Sequence, residues 1–200
     1  MNLFASENDC IPLNMIDGDV LYYPTFFDTN QANRLFQILN DSIQWQQDDI
    51  KVFGKIYRQP RLTALYANNK NTYSYSNITM KPYQFTEELL MIKEEIENIS
   101  SGTFTTCLLN LYRDGQDSNG WHADNEKELG PEPIIASVSF GEERWFHFKH
   151  KTKSLKQKIL LQHGSLLIMR GKTQENWLHQ LPKSKKVIKP RINLTFRTIH

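Results

Sequence analysis

The sequence predicts a single α+β domain in which two helices pack on a β-sandwich or jelly roll. Two helical segments with recognisable caps lie before residue 101, and six short strand-like segments follow it. No internal repeat or low-complexity linker divides the 200 residues. A chain of this length is enough for one domain with a sizeable core, so residues 1–200 are predicted to form one unit.

Both helices are predicted from a capping residue followed by apolar side chains at helical spacing. Asp28 can cap a helix within residues 28–45, and Thr86 can cap one within residues 85–100. The apolar positions are Leu35, Leu39 and Ile43 in the first helix, and Leu89, Ile92, Ile96 and Ile99 in the second.

After residue 101 the pattern changes to short segments rich in β-branched and aromatic residues, separated by turn signals. These predicted strands are TFTTCLLNLY (103–112), IIASVSFG (134–141), RWFHFKHK (144–151), KILLQ (158–162), SLLIM (165–169) and RINLTFRTI (191–199). We expect residues 101–199 to form the β core, whose mouth can hold a metal ion. Residues 51–83, with many Tyr and Asn, form a separate stretch between the helices.

Composition excludes several classes of protein. No apolar run approaches the roughly 20 residues that a membrane helix needs, and the N-terminus lacks the basic start of a signal peptide. Two cysteines argue against a disulfide scaffold and for a reducing compartment. We therefore expect a cytoplasmic protein in a bacterium or a nuclear one in a eukaryote, monomeric and without a membrane partner.

Charge is distributed unevenly along the chain. Residues 144–200 contain 14 Lys and Arg and one acid, whereas residues 1–143 contain 10 Lys and Arg and 21 acids. Such asymmetry is typical of a basic face that meets a polyanion. A solvated basic surface without a partner explains it equally well.

His122 and Asp124 are spaced so that, on an extended segment, both side chains point the same way. This pair alone is commonly a surface contact. His179 follows in the strand-rich half, and two histidines with one carboxylate form the facial triad that leaves open positions on Fe(II). Zinc competes for the same ligands.

The last predicted strand favours iron with an organic acid as co-substrate. One face of RINLTFR carries two guanidinium groups and two hydrogen-bonding side chains: Arg191, Asn193, Thr195 and Arg197. A guanidinium binds a carboxylate through two parallel hydrogen bonds, and 2-oxoglutarate offers one carboxylate to a metal and one to an arginine. Asn110 and Tyr112 share a face of an earlier strand and can donate to the same ligand. A solvated polar strand face is the alternative.

The ordered motifs NLYRDGQDSNGWHAD, SVSFG, HGSLLIM and RINLTFR resemble the AlkB family of Fe(II)/2-oxoglutarate dioxygenases over roughly residues 50–199. The resemblance implies a double-stranded β-helix (jelly roll) with the N-terminal helices packed on one sheet. It implies His122, Asp124 and His179 as the iron ligands and catalytic centre. It implies that Arg191 binds the distal carboxylate of 2-oxoglutarate, with Arg197 near the metal-bound end, in a pocket completed by Asn110, Tyr112, Asn193 and Thr195.

The resemblance also implies substrate contacts within residues 51–83. The V-F-G-K pattern of Phe53, Gly54 and Lys55 resembles a hairpin that wedges into double-stranded DNA, although Phe53 could instead be a hairpin core residue. The segment Tyr73, Ser74 and Tyr75 matches one that lines the base pocket, although these rings could also pack a loop onto the barrel.

Asn125 stands where relatives carry a second acid, and Glu126 follows. We expect both to face the substrate. Lys149, His150 and Lys151, and Lys183, Lys185 and Lys186, are candidate phosphate contacts; the second cluster could instead be a nuclear import signal.

The resemblance thus implies an Fe(II)-, 2-oxoglutarate- and O₂-dependent DNA repair dioxygenase. It would remove N-alkyl lesions such as N1-methyladenine and N3-methylcytosine, preferring duplex over single-stranded DNA, and release aldehyde, succinate and CO₂. An oxygenase of the same fold acting on RNA, protein or a small molecule is one alternative. A non-enzymatic nucleic-acid-binding module is another.

Overall fold

The computed structural model describes residues 10–52, 54–68, 73–75 and 78–200. Sheets dominate this part of the chain. The three helices are α1 (Thr29–Ser42), α2 (Glu87–Ser100) and the one-turn α3 (Thr173–Asn176). The strands are β1 (Ile11–Leu13), β2 (Asp19–Tyr23), β3 (Asp49–Val52), β4 (Lys55–Arg58), β5 (Leu62–Ala67), β6 (Tyr73–Tyr75), β7 (Ile78–Met80), β8 (Tyr83–Gln84), β9 (Thr106–Tyr112), β10 (Asn119–His122), β11 (Ile135–Gly141), β12 (Arg144–His150), β13 (Lys156–Leu161), β14 (Ser165–Arg170), β15 (Trp177–Leu181) and β16 (Arg191–Arg197).

Two sheets form the jelly roll. The larger has the strand order β1-β2-β14-β11-β16-β9-β5-β8, and the smaller has the order β10-β15-β12-β13. Side chains from both sheets interdigitate in one buried cluster, where Ile135 and Met169 of the larger sheet meet Phe148 and Trp177 of the smaller. Apolar contact between two facing sheets is the defining feature of a sandwich or jelly roll, so the predicted fold is confirmed.

The helices cover the other face of the larger sheet. Leu35 and Leu39 of α1 and Ile92 of α2 lie in one cluster with Leu194 and Phe196 of β16. The predicted packing of the N-terminal helices on one sheet is thereby confirmed. Strand β16 consequently has helices on one side and the interior of the jelly roll on the other.

The two predicted helix caps are also confirmed. The Asp28 side chain accepts from the Gln31 backbone N–H, and the Gln31 side chain accepts in turn from the Asp28 N–H, which completes a capping box. Thr86 caps α2 by accepting from the Leu89 N–H. These local hydrogen bonds satisfy backbone donors that the first helical turn leaves free.

The extent of the β core differs from the prediction. β2 and β5 both lie before residue 101 yet pair with β14 and β9 in the larger sheet. β5 therefore places a buried core strand inside residues 51–83, which we expected to contain substrate-recognition loops and a hairpin. β10 and α3 lie between the predicted strands, where the sequence shows only turn signals. Burial of β2 and β5 against distant strands explains their formation better than their own sequence patterns.

Two hairpins leave the body of the fold on either side of β5. β3 pairs with β4, with Val52 opposite Lys55, and β6 pairs with β7, with Tyr73 opposite Met80. Gly54 has a positive φ of 80°, a conformation that glycine adopts without steric cost. Phe53 lies outside the described residues, as do the side chains of Tyr73, Ser74 and Tyr75, so their predicted substrate contacts stay predictions.

Among the described residues, no helix combines the length and apolarity required to cross a bilayer. Cys10 and Cys107 are both free thiols. Cys107 is buried in the core next to the helices, and burial raises the pKa of its thiol.

Candidate functional site

A polar cavity lies between the two sheets and gathers most of the predicted site residues. It is lined by Leu108, Asn110, Tyr112, Asn119, His122, Asp124, Ser137, Phe146, Met169, His179, Leu181, Arg191, Asn193, Thr195 and Arg197. The alternating polar face of β16 points into this cavity, as its pattern predicts.

His122 and His179 meet because β10 and β15 pair in antiparallel register with these two residues directly opposite each other. Their Nε2 atoms are 3.1 Å apart. Asp124 Oδ2 lies 3.9 Å from His179 Nε2, and the three side chains offer ligand atoms that all lie within 4.8 Å of one another. His122 and His179 are 57 residues apart in sequence, and the pairing of β10 with β15 brings them into contact.

These distances fit a metal ion. Two nitrogen ligands at about 2.1 Å from one ion and at right angles are about 3 Å apart, close to the observed Nε2 separation. The Nδ1 atom of His122 is 2.8 Å from the Gly120 carbonyl oxygen. A proton on Nδ1 donates to this carbonyl and leaves the Nε2 lone pair free for a metal. Two imidazoles and one carboxylate are the donor set of the non-haem Fe(II) facial triad.

The protonation states of the cluster also suit a cation. Burial lowers the pKa of His179 to about 3, with a further contribution from His122, and burial lowers the pKa of His122 as well. Burial alone would raise the pKa of Asp124, but Arg197 and the two histidines lower it to about 2. At neutral pH the centre therefore presents two neutral imidazoles and one carboxylate.

Contacts from outside the triad hold Asp124 in place. Arg197 Nη2 donates to Asp124 Oδ1 at 2.8 Å, with both side chains almost fully buried. The Asp124 backbone N–H donates to the Gln174 side-chain oxygen at 2.9 Å. These contacts orient the carboxylate toward the histidines, as outer contacts of metal ligands commonly do. The sequence interpretation placed Arg197 near the metal but missed Gln174, whose position on the one-turn α3 has no signature in the sequence.

Arg191 provides the second charged feature of the cavity. Its guanidinium is 2% exposed, donates to Ser139 Oγ at 2.8 Å and lies 5.4 Å from the Tyr112 ring centroid. Burial lowers the pKa of Arg191 to about 10, so the group stays charged at neutral pH. Among the described residues it has no carboxylate partner, and its Nε atom has no hydrogen-bond acceptor. A buried cation of this kind is costly without an anion, and a carboxylate ligand would supply one.

Hydrogen bonds link the remaining predicted pocket residues into one layer along the cavity wall. Asn193 donates to Ser137 Oγ at 2.8 Å, and its own oxygen accepts from Thr195 at 3.1 Å and from Asn110 at 3.4 Å. Arg61, a buried residue that precedes β5, donates to Asn110 Oδ1 at 2.7 Å. The network fixes the amide orientations before any ligand binds.

Four other cavity contacts were missed from the sequence. Phe146 stacks on His179 with a 5.3 Å centroid distance, and Asn119 Nδ2 is 3.2 Å from His122 Nε2. Ser139 contacts Arg191 and Arg61 contacts Asn110. Only Ser139 has a local signal, since SVSFG alternates so that it shares a face with Ser137.

The structure separates Asn125 from Glu126 and corrects one expectation. Asn125 is exposed and lines another groove with Glu132 and Lys172, so it does not face the metal cavity. Glu126 instead has a buried carboxyl oxygen with no hydrogen-bond partner among the described residues. Burial raises its pKa, and the neighbouring Asp124 raises it further. The chain turns after Asp124, so adjacent side chains point to different sides.

The predicted cationic contacts lie at the surface. Lys55 is exposed on the β3–β4 hairpin, and Lys151, Lys183, Lys185 and Lys186 are exposed in loops. His150 is an exception and corrects the prediction. It is 7% exposed, and its Nδ1 accepts from the Lys153 backbone N–H, so its ring serves the loop structure rather than a phosphate.

Comparison with known proteins agrees with this geometry. Residues 19–197 match the model of the 2OG-Fe(II) oxygenase superfamily. The alpha-ketoglutarate-dependent dioxygenase alkB homolog 3 of Bos taurus is 43% identical over 192 residues, which cover 88% of this chain and 65% of that protein. The DNA oxidative demethylase ALKBH2 of Homo sapiens is 38% identical over 188 residues, which cover 88% of this chain and 72% of that protein. The chain thus spans slightly less than two thirds of the bovine relative.

A solved structure, that of OsALKBH1, matches with a TM-score of 0.64 and 16% identity, covering 94% of this chain and all of that one. This likeness supports the jelly-roll fold. The superfamily description names Fe(II) and 2-oxoglutarate, the cofactors expected from the sequence, and the His–Asp–His cluster fits the metal. The chain belongs to the 2OG-Fe(II) oxygenase superfamily and, within it, to the AlkB family.

Proposed function

We propose that this protein is an Fe(II)- and 2-oxoglutarate-dependent dioxygenase that removes N-alkyl groups from the bases of DNA. The observation that carries the proposal is the presence, in one cavity, of the His–Asp–His cluster and of a buried Arg191 that forms no ion pair with a carboxylate among the described residues. The names of its relatives, a DNA oxidative demethylase among them, support a nucleic-acid substrate.

In this proposal, His122, Asp124 and His179 hold the iron, and Arg191 binds the distal carboxylate of 2-oxoglutarate. Iron, 2-oxoglutarate and O₂ would together supply the oxidation that hydroxylates an N-alkyl carbon, with 2-oxoglutarate converted to succinate and CO₂. The hydroxylated alkyl group would then leave the base as an aldehyde. The side chains of this protein bind and orient the co-substrate, the metal ligands and the substrate base.

Arg191 sets the direction in which the co-substrate lies. Its guanidinium is held by Ser139 and by the Tyr112 ring, so it presents its unused N–H groups in a fixed direction. Charge-assisted hydrogen bonds of this kind are each worth about 1.5–3 kcal/mol. Arg197 has a different task, because its contact with Asp124 keeps that carboxylate ionised and oriented.

Glu126 is proposed to contact the substrate base. Its carboxyl group is partly buried, and burial raises its pKa, with a further contribution from Asp124. N1-methyladenine and N3-methylcytosine are cationic and carry an exocyclic amine, so either could donate to this carboxylate. The base must leave the stack to reach the cavity, at a cost of a few kcal/mol.

Recognition of duplex DNA is proposed for the β3–β4 hairpin. Lys55 and Gly54 lie at its exposed tip, adjacent to Phe53, which the sequence pattern nominates as a wedge between bases. Residues Lys183, Lys185 and Lys186 would contact phosphates. The protein is proposed to act as a monomer in the cytoplasm or nucleus.

The test is release of formaldehyde and succinate from oligonucleotides that contain N1-methyladenine or N3-methylcytosine, single-stranded and duplex, with Fe(II) and 2-oxoglutarate. We expect coupled release of both products, abolished in His122→Ala. Succinate without formaldehyde from every methylated oligonucleotide would contradict the DNA substrate and leave an oxygenase with another substrate. Formaldehyde from single strands alone would contradict the duplex preference.

A further inference from the structure

The outer face of the four-stranded sheet has an unusual composition. Along β12 the side chains alternate, so that Phe146 and Phe148 pack inward near His179, while Trp145, His147 and Lys149 occupy the intervening positions. The register places Lys158 opposite His147 and Lys156 opposite Lys149 on β13. The face therefore combines indole rings with ammonium groups rather than the mixed charges usual for a solvated sheet.

Two tryptophans are exposed on this face. Trp121 is 38% exposed and Trp145 is 48% exposed. Each carries one lysine over its ring: Lys149 Nζ is 4.5 Å from the Trp121 centroid, and Lys158 Nζ is 4.8 Å from the Trp145 centroid. Tryptophan is rarely left this accessible without a partner, because its ring is the largest apolar surface among the side chains.

The charges on the face are uncompensated. Lys149, Lys156 and Lys158 form no ion pair with any acid among the described residues. Lys149 of β12 lies directly opposite Lys156 of the neighbouring strand β13. Like charges in such a pair destabilise a sheet. A polyanion lying on the face would relieve this repulsion.

The face adjoins the cavity through one strand. β10 is the edge strand of its sheet, and on it Trp121 precedes the cavity residue His122. Gly120 is exposed, and a Cβ atom built there would meet nothing within 4 Å. The cavity and the outer face therefore lie on the two sides of β10, at adjacent residues of the chain.

We propose that this outer face, comprising Trp121, Trp145, Lys149, Lys156 and Lys158, binds an unpaired nucleic-acid strand next to the substrate base. The lysines would contact phosphates, and the two rings would stack on bases. In a duplex both faces of each base are already covered, so only an unpaired segment offers bases for stacking. The inference rests on the proposed nucleic-acid substrate and concerns its single-stranded form, whereas the β3–β4 hairpin is proposed to recognise the duplex.

The test uses fluorescence anisotropy with two unmodified probes, a dT 25-mer and a blunt 25-base-pair duplex. We expect Trp145→Ala to weaken binding of the single strand by about fivefold or more and binding of the duplex by less than about twofold. Trp145→Tyr, which retains a stacking ring, should recover most of the loss. Tyr83→Ala removes a ring that is 45% exposed on a different sheet and should bind like the wild type. Equal thermal midpoints would show that each variant is folded.

Lys158→Ala tests the phosphate contact separately. The slope of log affinity against log salt for the dT 25-mer should decrease by about 0.7, whereas Lys172→Ala, which removes an exposed lysine elsewhere, should leave it unchanged. Wild-type affinity of Trp145→Ala for the single strand, or an equal loss on the duplex, would overturn the inference. Formaldehyde release by the wild type is measured on the same preparation. If the wild type releases formaldehyde but Trp145→Ala binds the single strand as tightly as the wild type, only this inference is wrong. If the wild type releases no formaldehyde but Trp145→Ala weakens binding of the single strand, the proposed reaction is wrong and the binding surface stands.

Discussion

The buried ion pair between Arg197 and Asp124 should control the stability of the metal-free protein. Its atoms are 2.8 Å apart, and the two side chains are 4% and 2% exposed. Arg197→Leu leaves the carboxylate buried without its cation, which typically costs about 3–5 kcal/mol. For a domain of this size each kcal/mol lowers the midpoint of thermal unfolding by about 2–4 °C, so a decrease of roughly 6–20 °C is expected.

Arg170 provides a matched control. It forms an ion pair with Asp19 at 2.7 Å, but the two side chains are 38% and 48% exposed. Exposed pairs contribute about 0–1 kcal/mol because water screens them. Arg170→Leu should therefore change the free energy of unfolding much less than Arg197→Leu, although both variants lose one guanidinium and one ion pair.

The assay is urea denaturation of protein treated with a chelator, at pH 7 and at pH 3. Asp124 has a folded pKa of about 2, below the ordinary aspartate value of 3.8. A depressed carboxylate pKa stabilises the folded state above the unfolded value, and this stabilisation is lost as pH falls through 3.8 toward 2. It amounts to roughly 2–3 kcal/mol, and in Arg197→Leu this part of the acid dependence should shrink.

A double-mutant cycle with Asp124→Asn separates the pair from its surroundings. Removing both charges should cost less than the sum of the two single changes, with a coupling energy of about 2 kcal/mol or more. Additive losses, or an Arg197→Leu protein as stable as Arg170→Leu, would refute the reasoning that the pair compensates a buried charge.

Three further predictions concern pH, a close backbone contact and the co-substrate. His179 has a folded pKa of about 3, below the ordinary histidine value of 6.5. Because the unfolded chain binds the proton first, metal-free stability should fall as pH drops from 6.5 toward 3, and His179→Phe should flatten that slope. A Cβ at Gly115 would lie 1.8 Å from a backbone oxygen, so Gly115→Ala should lower the free energy of unfolding by about 1–3 kcal/mol. Gly120 has open space around it, so Gly120→Ala should change this free energy little. Equal effects of the two substitutions in urea denaturation would contradict the prediction. Arg191→Met should raise the Michaelis constant for 2-oxoglutarate by about tenfold or more without weakening metal binding measured by titration, and an unchanged constant would exclude Arg191 from the co-substrate site.

Local patterns predicted the elements whose stabilising contacts lie close in sequence. Asp28 and Thr86 cap their helices through backbone groups three residues away, and such contacts depend on nothing distant. The alternation of β16 likewise predicted which side chains enter the cavity and which enter the helix-covered core. β2 and β5 escaped prediction because pairing with β14 and β9, rather than a period of their own, makes them strands.

At the metal centre, too, the sequence predicted the kinds of residue, whereas distant strand pairing decided which of them meet. The sequence nominated His122, Asp124 and His179 by type and order, but their convergence required the β10–β15 register. The sequence could not show that Asn125 is exposed in a separate groove while a carboxyl oxygen of its neighbour Glu126 is buried, because the turn of the backbone after Asp124 decides where each side chain points.

The sequence by itself therefore determined the two long helices, half of the twelve strands of the two sheets and the chemical types of the candidate ligands, since these depend on local periodicity and residue chemistry. The tertiary structure alone decided which groups meet. Arg61 reaches Asn110 and Gln174 reaches Asp124 across long stretches of chain, and Trp121 and Trp145 share one outer face. Such contacts are set by the packing of two sheets over long sequence distances, where no short-range pattern records the partner.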